Sequence, residues 1–262
     1  MIPYFQFTTI HLGFVTIQVW GLMVALGIFF ATFVAAKYAK RDGLDPNIVW
    51  DFSFWTIVGA FIGARIFEIV YFPAIYLAHP IELLKFWNGG FSEMGGFIGA
   101  IISLLIYFHV RKTQRAIMLH YMDCAAYGLP LGFGIGRIGC FLIHDHPGTL
   151  THFMLGVKYP DGIRHDHGLY LSIEGFFLFA IFVWLAQKKR NTGTFVAAFL
   201  LLHGTIRFFL DFLRIIDARY FYLTPAQYIS AVMMIVGVLI WNQSQSTVFK
   251  FRYIKKRPKS LA

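Results

Sequence analysis

The sequence is poor in charge. Asp and Glu together number 13 in 262 residues, and charged residues of both signs make up 14%, against about one quarter in a soluble domain. That shortage excludes an ordinary water-soluble surface. No Lys, Arg, Asp or Glu precedes Lys37, so a basic n-region, and with it a cleavable signal peptide, is not expected. Two cysteines, Cys124 and Cys140, lie in or near apolar segments and make no metal motif. What is abundant is apolar: 58% hydrophobic and 19% aromatic residues, with a mean hydropathy of +0.62.

The apolar residues fall in blocks of about 18 to 23, each long enough to cross a hydrocarbon core of roughly 30 Å. Seven blocks can be drawn: Val15–Ala36, Val49–Tyr71, Gly90–Val110, Tyr121–Ile143, Leu169–Leu185, Gly193–Phe212 and Leu223–Ile240. The runs are continuous rather than alternating, which favours helices over barrel strands. The expected fold is all-α, a polytopic membrane protein with seven transmembrane helices.

Basic residues set the expected orientation. Lys37, Lys40 and Arg41 follow block one. Arg111, Lys112 and Arg115 follow block three, and Lys188, Lys189 and Arg190 follow block five. Lys250, Arg252, Lys255, Lys256, Arg257 and Lys259 follow block seven. The alternate connections hold only Lys85, Lys158, Arg164, Arg214 and Arg219. The positive-inside rule then puts the N-terminus outside and the C-terminus in the cytoplasm. Residues 1–262 read as a single integral membrane domain, with 144–168 as a small extracytoplasmic subregion. The net charge of +10 does not point to nucleic acid, because the basic tail reads as an anchor facing anionic lipid.

Arg65, Arg137 and Arg207 remain, each inside an apolar block. A central charge costs at least about 2.5 kcal/mol on insertion scales unless it finds a partner. Three of them imply a shared polar cavity. Glu68 follows Arg65 on one helical face, and Arg207, Asp211 and Arg214 share another. Ion pairs that merely hold helices in register are the plainer alternative. Asp123 and Glu174 lie near the starts of blocks four and five.

Glycines mark close approach. Asn88 to Gly99 contains Gly89, Gly90, Gly95, Gly96 and Gly99. Helix packing is the expectation for Gly96 and Gly99, and either packing or an unwound entry for Gly89 to Gly95. The connection after block four carries His144, His146, His152, His165 and His167 with Asp145, Asp161 and Asp166. No pair has the i, i+4 spacing of a helical zinc site, so a metal is the weaker reading. Gly156 to Gly162 reads as a turn-rich hairpin.

Together these residues resemble the bacterial prolipoprotein diacylglyceryl transferases. The resemblance runs from Trp20-Gly21-Leu22-Met23 to Gln227-Tyr228-Ile229-Ser230. It includes Gly63-Ala64-Arg65-Ile66, Asn88-Gly89-Gly90 through Gly96, Gly136-Arg137-Ile138-Gly139, and Arg207 through Arg214. The chain departs from the family pattern at several points. Cys140 and Ile143 replace two asparagines of the signature, Asp145 a glutamate, Trp20 a tyrosine, Met94 a histidine, and Asp211 a glutamate. Gly148 keeps the final glycine.

The resemblance implies an enzyme of the bacterial inner membrane that moves a diacylglyceryl group from phosphatidylglycerol to the lipobox cysteine of a preprolipoprotein. It implies membrane lipids as surroundings and no cofactor, metal or nucleic acid. Arg137 and Arg207 would grip the phosphate, with Asp211 orienting Arg207 or Arg214. Asp145, with His144 or His146, is the candidate base. Arg65, Gly139, Cys140, Gly148, Met94, Trp20 and Gln227 would join Arg137, Arg207 and Arg214 in binding substrate. The acceptor cysteine belongs to the substrate, so Cys140 reads as a small buried residue against glycines rather than a nucleophile. The replaced positions leave two other readings: a phospholipid-dependent transferase with another acceptor, or a lipid-binding membrane protein without turnover. A transporter is disfavoured, since the sequence shows no inverted repeat.

Overall fold

The computed structural model describes residues 1–13, 15–73, 76, 81, 92–215 and 219–245. Lys85, Asn88, Gly89 and Gly90 of the glycine-rich stretch, and the basic residues from Lys250 onward lie outside them. The helices are α1 (Val19–Arg41), α2 (Pro46–Tyr71), α3 (Glu93–Val110), α4 (Arg115–Ile143), α5 (His167–Leu185), α6 (Thr194–Leu210) and α7 (Pro225–Gln245). A 3-10 turn at Asp211–Leu213 follows α6. Six of these helices are long and apolar enough to cross a membrane: α1, α2, α4, α5, α6 and α7. In the third block, the described residues contribute the apolar helical segment Ile98–Val110. The protein is therefore largely helical and built to span a bilayer. Its outward side chains agree: Phe54, Phe61, Ile66 and Val70 of α2 are all exposed, a surface suited to hydrocarbon rather than water.

Short strands supplement the helices: β1 (Ile2–Pro3), β2 (Thr9–Leu12), β3 (Val15–Gln18), β4 (Pro147–Leu150), β5 (Val157–Tyr159) and β6 (Gly162–Asp166). The first apolar block thus does not begin as helix at Val15. Val15–Gln18 pairs antiparallel with Thr9–Leu12. The β-branched residues Thr9, Ile10, Val15, Thr16 and Ile17 favour that pairing, and Gly13 supplies the left-handed turn with φ +62°. The 144–168 connection is likewise structured. Its strands and β1 form one sheet in the order β1-β5-β6-β4, with β1 parallel to β5 and the other pairs antiparallel. The hairpin expected at Gly156 to Gly162 is β5–β6, with Gly162 at φ +138° in its turn.

The chain divides into two compact units, passing between them within α1 and α4. Unit two covers Ile28–Gly128. There α2 and α3 pack through glycines: a Cβ on Gly63 would meet the Gly95 carbonyl oxygen at 2.3 Å, and one on Gly99 the Gly59 carbonyl oxygen at 2.1 Å. Small residues let helix backbones meet where lipid offers no hydrophobic drive between them. Gly95 and Gly99 make the closest approach; Gly96 also faces α2, where a Cβ would stand 3.7 Å from the Ala60 carbonyl oxygen and from Ala64 Cβ.

Unit one covers Met1–Gly27 and Leu129–Ala262 and contains both β-sheets. Its helices also meet at glycine. A Cβ on Gly175 of α5 would stand 2.5 Å from Gly134 of α4, and the Ser172 hydroxyl donates to the Gly134 carbonyl at 2.9 Å. These contacts fix the part of α4 that carries Arg137.

Candidate active site

Arg137 lies in the last two turns of α4 and Arg207 in the last turn of α6. Both helices end toward the β4–β6 sheet, which begins where α4 stops and contacts Arg214 through a bridge from Gly148. The guanidinium of Arg137 sits over the Phe133 ring, 5.1 Å from its centroid, and its Nη1 is 3.7 Å from Cys140 Sγ. Arg207 is close enough to feel the charges of Arg137, Arg214, Asp211 and Glu174. So the structure brings together two of the three intramembrane arginines singled out from the sequence. Arg65 belongs to unit two, where it is buried with its guanidinium 5.1 Å from the Tyr76 ring centroid.

One carboxylate anchors the cluster. Asp211 is fully buried. Its Oδ1 lies 3.3 Å from Arg207 Nη2 and 3.8 Å from Arg214 Nη1, and its Oδ2 accepts from the Thr224 hydroxyl. Thr224 in turn caps α7, accepting from the Gln227 amide at 3.2 Å. The Gln227 side chain closes the loop: Oε1 accepts from the Thr224 amide at 2.9 Å and Nε2 donates to the Phe208 carbonyl at 3.1 Å. Gln227, expected to touch substrate, has both ends of its amide bound to backbone and holds the ends of α6 and α7 together. Arg207 Nη1 is buried with no hydrogen-bond partner. A guanidinium nitrogen in that state is a receptor for an anionic oxygen.

One turn deeper in the bundle, Glu174 Oε1 pairs with His203 Nδ1 at 2.8 Å. Glu174 Oε2 is buried without a hydrogen-bond partner. The His203 ring is held between Phe133, at 4.8 Å and edge-on, and Phe199, stacked at 5.1 Å.

The histidines of the 144–168 connection separate into distinct environments. His144 is buried at the end of α4, with φ +51°. Its Nδ1 is 2.7 Å from Asp166 Oδ2, which also accepts from the Tyr159 hydroxyl at 2.7 Å. Tyr4, Phe5 and Phe141 pack around the His144 ring. Asp166 caps α5 by accepting from the Leu169 amide. The Tyr159 hydroxyl is pushed well above the usual phenol range by burial and by Asp166. Beside this cluster, His146 Nδ1 is 3.0 Å from Asp145 Oδ1, and both side chains remain partly exposed. Asp145 is thus joined to His146, while His144 is committed to Asp166. His165 bonds Tyr170, and His167 is fully buried beside the Arg207–Asp211–Arg214 group. Among the described residues no three His, Cys, Asp or Glu side chains are grouped to hold a metal.

The remaining predicted residues are placed as follows. A Cβ on Gly139 would meet Met23 Cβ at 3.0 Å and the Trp20 backbone at 3.2 Å, so this glycine seats α1 against α4. Trp20 is half exposed, with its side chain in reach of the Cys140 thiol. Cys140 is a buried free thiol. Gly148 is crowded by the Leu213 carbonyl at 2.9 Å and by His165. Met94 is described by its α3 backbone only.

Sequence reasoning missed His203, Thr224, Tyr159 and the pairing partner of His144. Two of these carry a signal. His203 precedes Arg207 by one helical turn and so shares its face. Thr224-Pro225-Ala226-Gln227 has a capping Thr, Pro at the first helical position and Gln two residues further on. Nothing local links His144 to Asp166 across 22 residues.

The prolipoprotein diacylglyceryl transferase family model matches residues 8–243. A protein of Pasteurella multocida named phosphatidylglycerol–prolipoprotein diacylglyceryl transferase is 33% identical over 264 residues, covering 96% of this chain and 97% of the relative. One of that name from Mannheimia succiniciproducens is 32% identical over 249 residues, covering 90% and 92%. A third, from Chromohalobacter salexigens, is 30% identical with the same coverage.

Proposed function

The chain belongs to the prolipoprotein diacylglyceryl transferase family, and from that premise we propose that it transfers the diacylglyceryl group of phosphatidylglycerol to the lipobox cysteine of a preprolipoprotein. The observation that carries this reading is the arginine cluster. Arg137 and Arg207 face one another's charge, Asp211 is shared between Arg207 and Arg214, and Arg207 Nη1 is buried without a partner. Such a site is short of negative charge, and a phospholipid phosphate supplies it.

In the reaction the acceptor thiolate attacks C3 of the diacylglyceryl unit. A C–S bond forms, the C–O bond to phosphate breaks, and glycerol 1-phosphate leaves. Negative charge grows on the departing phosphate, and fixed guanidiniums in a low-dielectric bundle stabilise that growth. The thiol proton goes to a base. The partly exposed Asp145–His146 pair fits this role better than His144, whose Nδ1 faces a buried carboxylate. A carboxylate beside the ring orients the imidazole, so that its free nitrogen can take the proton of an incoming thiol. Arg214 shares the phosphate-binding face, while Gly139 and Gly148 keep the backbone close around it.

The positive-inside pattern supports seven spans, with the third block crossing as α3, the N-terminus outside, and this site at the outer face of a bacterial inner membrane. The test is transfer to a lipobox peptide in vesicles containing phosphatidylglycerol. Arg137→Ala and Arg207→Ala should each abolish it; wild-type rates in either variant would overturn the assignment.

A further inference from the structure

Several buried atoms near the arginine cluster lack hydrogen-bond partners, and two of them are opposite in chemistry. Arg207 Nη1 can only donate a hydrogen bond, and Glu174 Oε2 is a carboxylate oxygen suited to accept one. Glu174 is 5% exposed, and the two residues are near enough for Arg207 to feel the Glu174 charge. Leaving either atom unsatisfied in a bundle core is costly. A ligand that satisfies both presents an anionic oxygen to Arg207 and a hydrogen-bond donor to Glu174. A bare phosphate meets only the first need. An ammonium headgroup would offer a donor, but Arg137, Arg207 and Arg214 repel it. A hydroxyl on the alcohol esterified to the phosphate meets the second need without added charge.

We propose that Glu174 reads the free hydroxyls of a glycerol-type headgroup, making it a specificity-determining residue, and that His203 positions it. This rests on the phospholipid-donor reading above. His203 takes Oε1 through Nδ1 and is itself wedged between Phe133 and Phe199, so the carboxylate cannot turn and Oε2 stays available. Phe133 also underlies Arg137. The phosphate grip and the hydroxyl reader are therefore built on one aromatic support. A carboxylate that hydrogen-bonds a ligand hydroxyl discriminates strongly against the analogue that lacks it, because the buried acceptor is then left unpaired.

The experiment compares phosphatidylglycerol with phosphatidylethanol, which has the same single negative charge and no headgroup hydroxyl. Retention of each lipid by the purified full chain is measured by native mass spectrometry, alongside transfer from each in vesicles. Wild type should retain phosphatidylglycerol about tenfold better or more. In Glu174→Gln that ratio should fall toward one. His203→Phe should lower it similarly, and His203→Gln, which keeps a donor for Glu174, should restore it. Equal retention of the two lipids by wild type overturns the inference without any variant being made. So does a Glu174→Gln protein that keeps the wild-type ratio. Loss of transfer from both lipids with selective retention intact would instead overturn the transferase reading and leave the headgroup reader standing.

Discussion

Asp211 Oδ1 stands 3.3 Å from Arg207 Nη2, on a carboxylate with no exposure to solvent. That one group holds two guanidiniums and, through Thr224, the start of α7. Removing it leaves buried positive charge uncompensated, which typically costs about 3–5 kcal/mol. Asp211→Ala should therefore lower thermal stability in detergent sharply as well as end transfer. Asp211→Glu keeps the charge and should retain most of both. An Asp211→Ala protein as stable as wild type would show that the arginines find other partners.

The glycines of the Gly134–Gly139 stretch should differ in tolerance although they look alike in sequence. A Cβ at Gly136 meets nothing within 4 Å, while one at Gly139 meets Met23 and Trp20. Gly136→Ala should fold as well as wild type or gain up to about 1 kcal/mol from helix propensity. Gly139→Ala should cost about 1–3 kcal/mol through overpacking. Gly175→Ala should be worse still, since its Cβ would strike the Gly134 backbone at 2.5 Å. Unfolding midpoints of the three variants, ranked in that order, check the packing. A loss of transfer in a stable Gly136→Ala would mean that substrate uses the open space.

Much of this arrangement was legible in the sequence, and the reason is physical. An arginine in a lipid-spanning helix is so costly that Arg137 and Arg207 announce a polar site without any alignment. Arg207, Asp211 and Arg214 announce their pairing through helical spacing. Helix period does not reach further than a few turns. Gln227 is a ligand candidate only through the family resemblance; its amide is spent on Thr224 and Phe208. The His-rich connection looked like a loop because its strands are only three to five residues long, too short for alternation to show. His144 and His146 looked equivalent until tertiary contacts gave them different carboxylates.

That difference predicts different phenotypes. His144→Ala removes a fully buried partner of Asp166 and leaves Tyr159 alone on its Oδ2. It should destabilise the protein by about 1–3 kcal/mol. His146→Ala, at a partly exposed position, should change stability little. It should lower the rate of transfer. If His144→Ala were stable but inactive and His146→Ala active, the base would have to be reassigned to the buried pair.

Outside the membrane-spanning helices, the β4–β6 sheet should be sensitive to mild acid through His165. Burial holds this imidazole below its ordinary value of 6.5, and its Nδ1 bonds the Tyr170 hydroxyl at 2.7 Å. Above about 6.5 the folded and unfolded chains both carry it neutral, so it adds no pH dependence there. As pH falls below 6.5 the unfolded chain takes up a proton that the folded sheet resists, and folding stability declines. The decline from this group ends once pH has passed below the lowered folded value. Proteolysis of the sheet between pH 8 and pH 5 should therefore speed up on the acid side in wild type. His165→Gln keeps a polar side chain and cannot titrate, so its acid-side acceleration should be smaller. An identical pH profile in the two proteins would remove His165 as the cause.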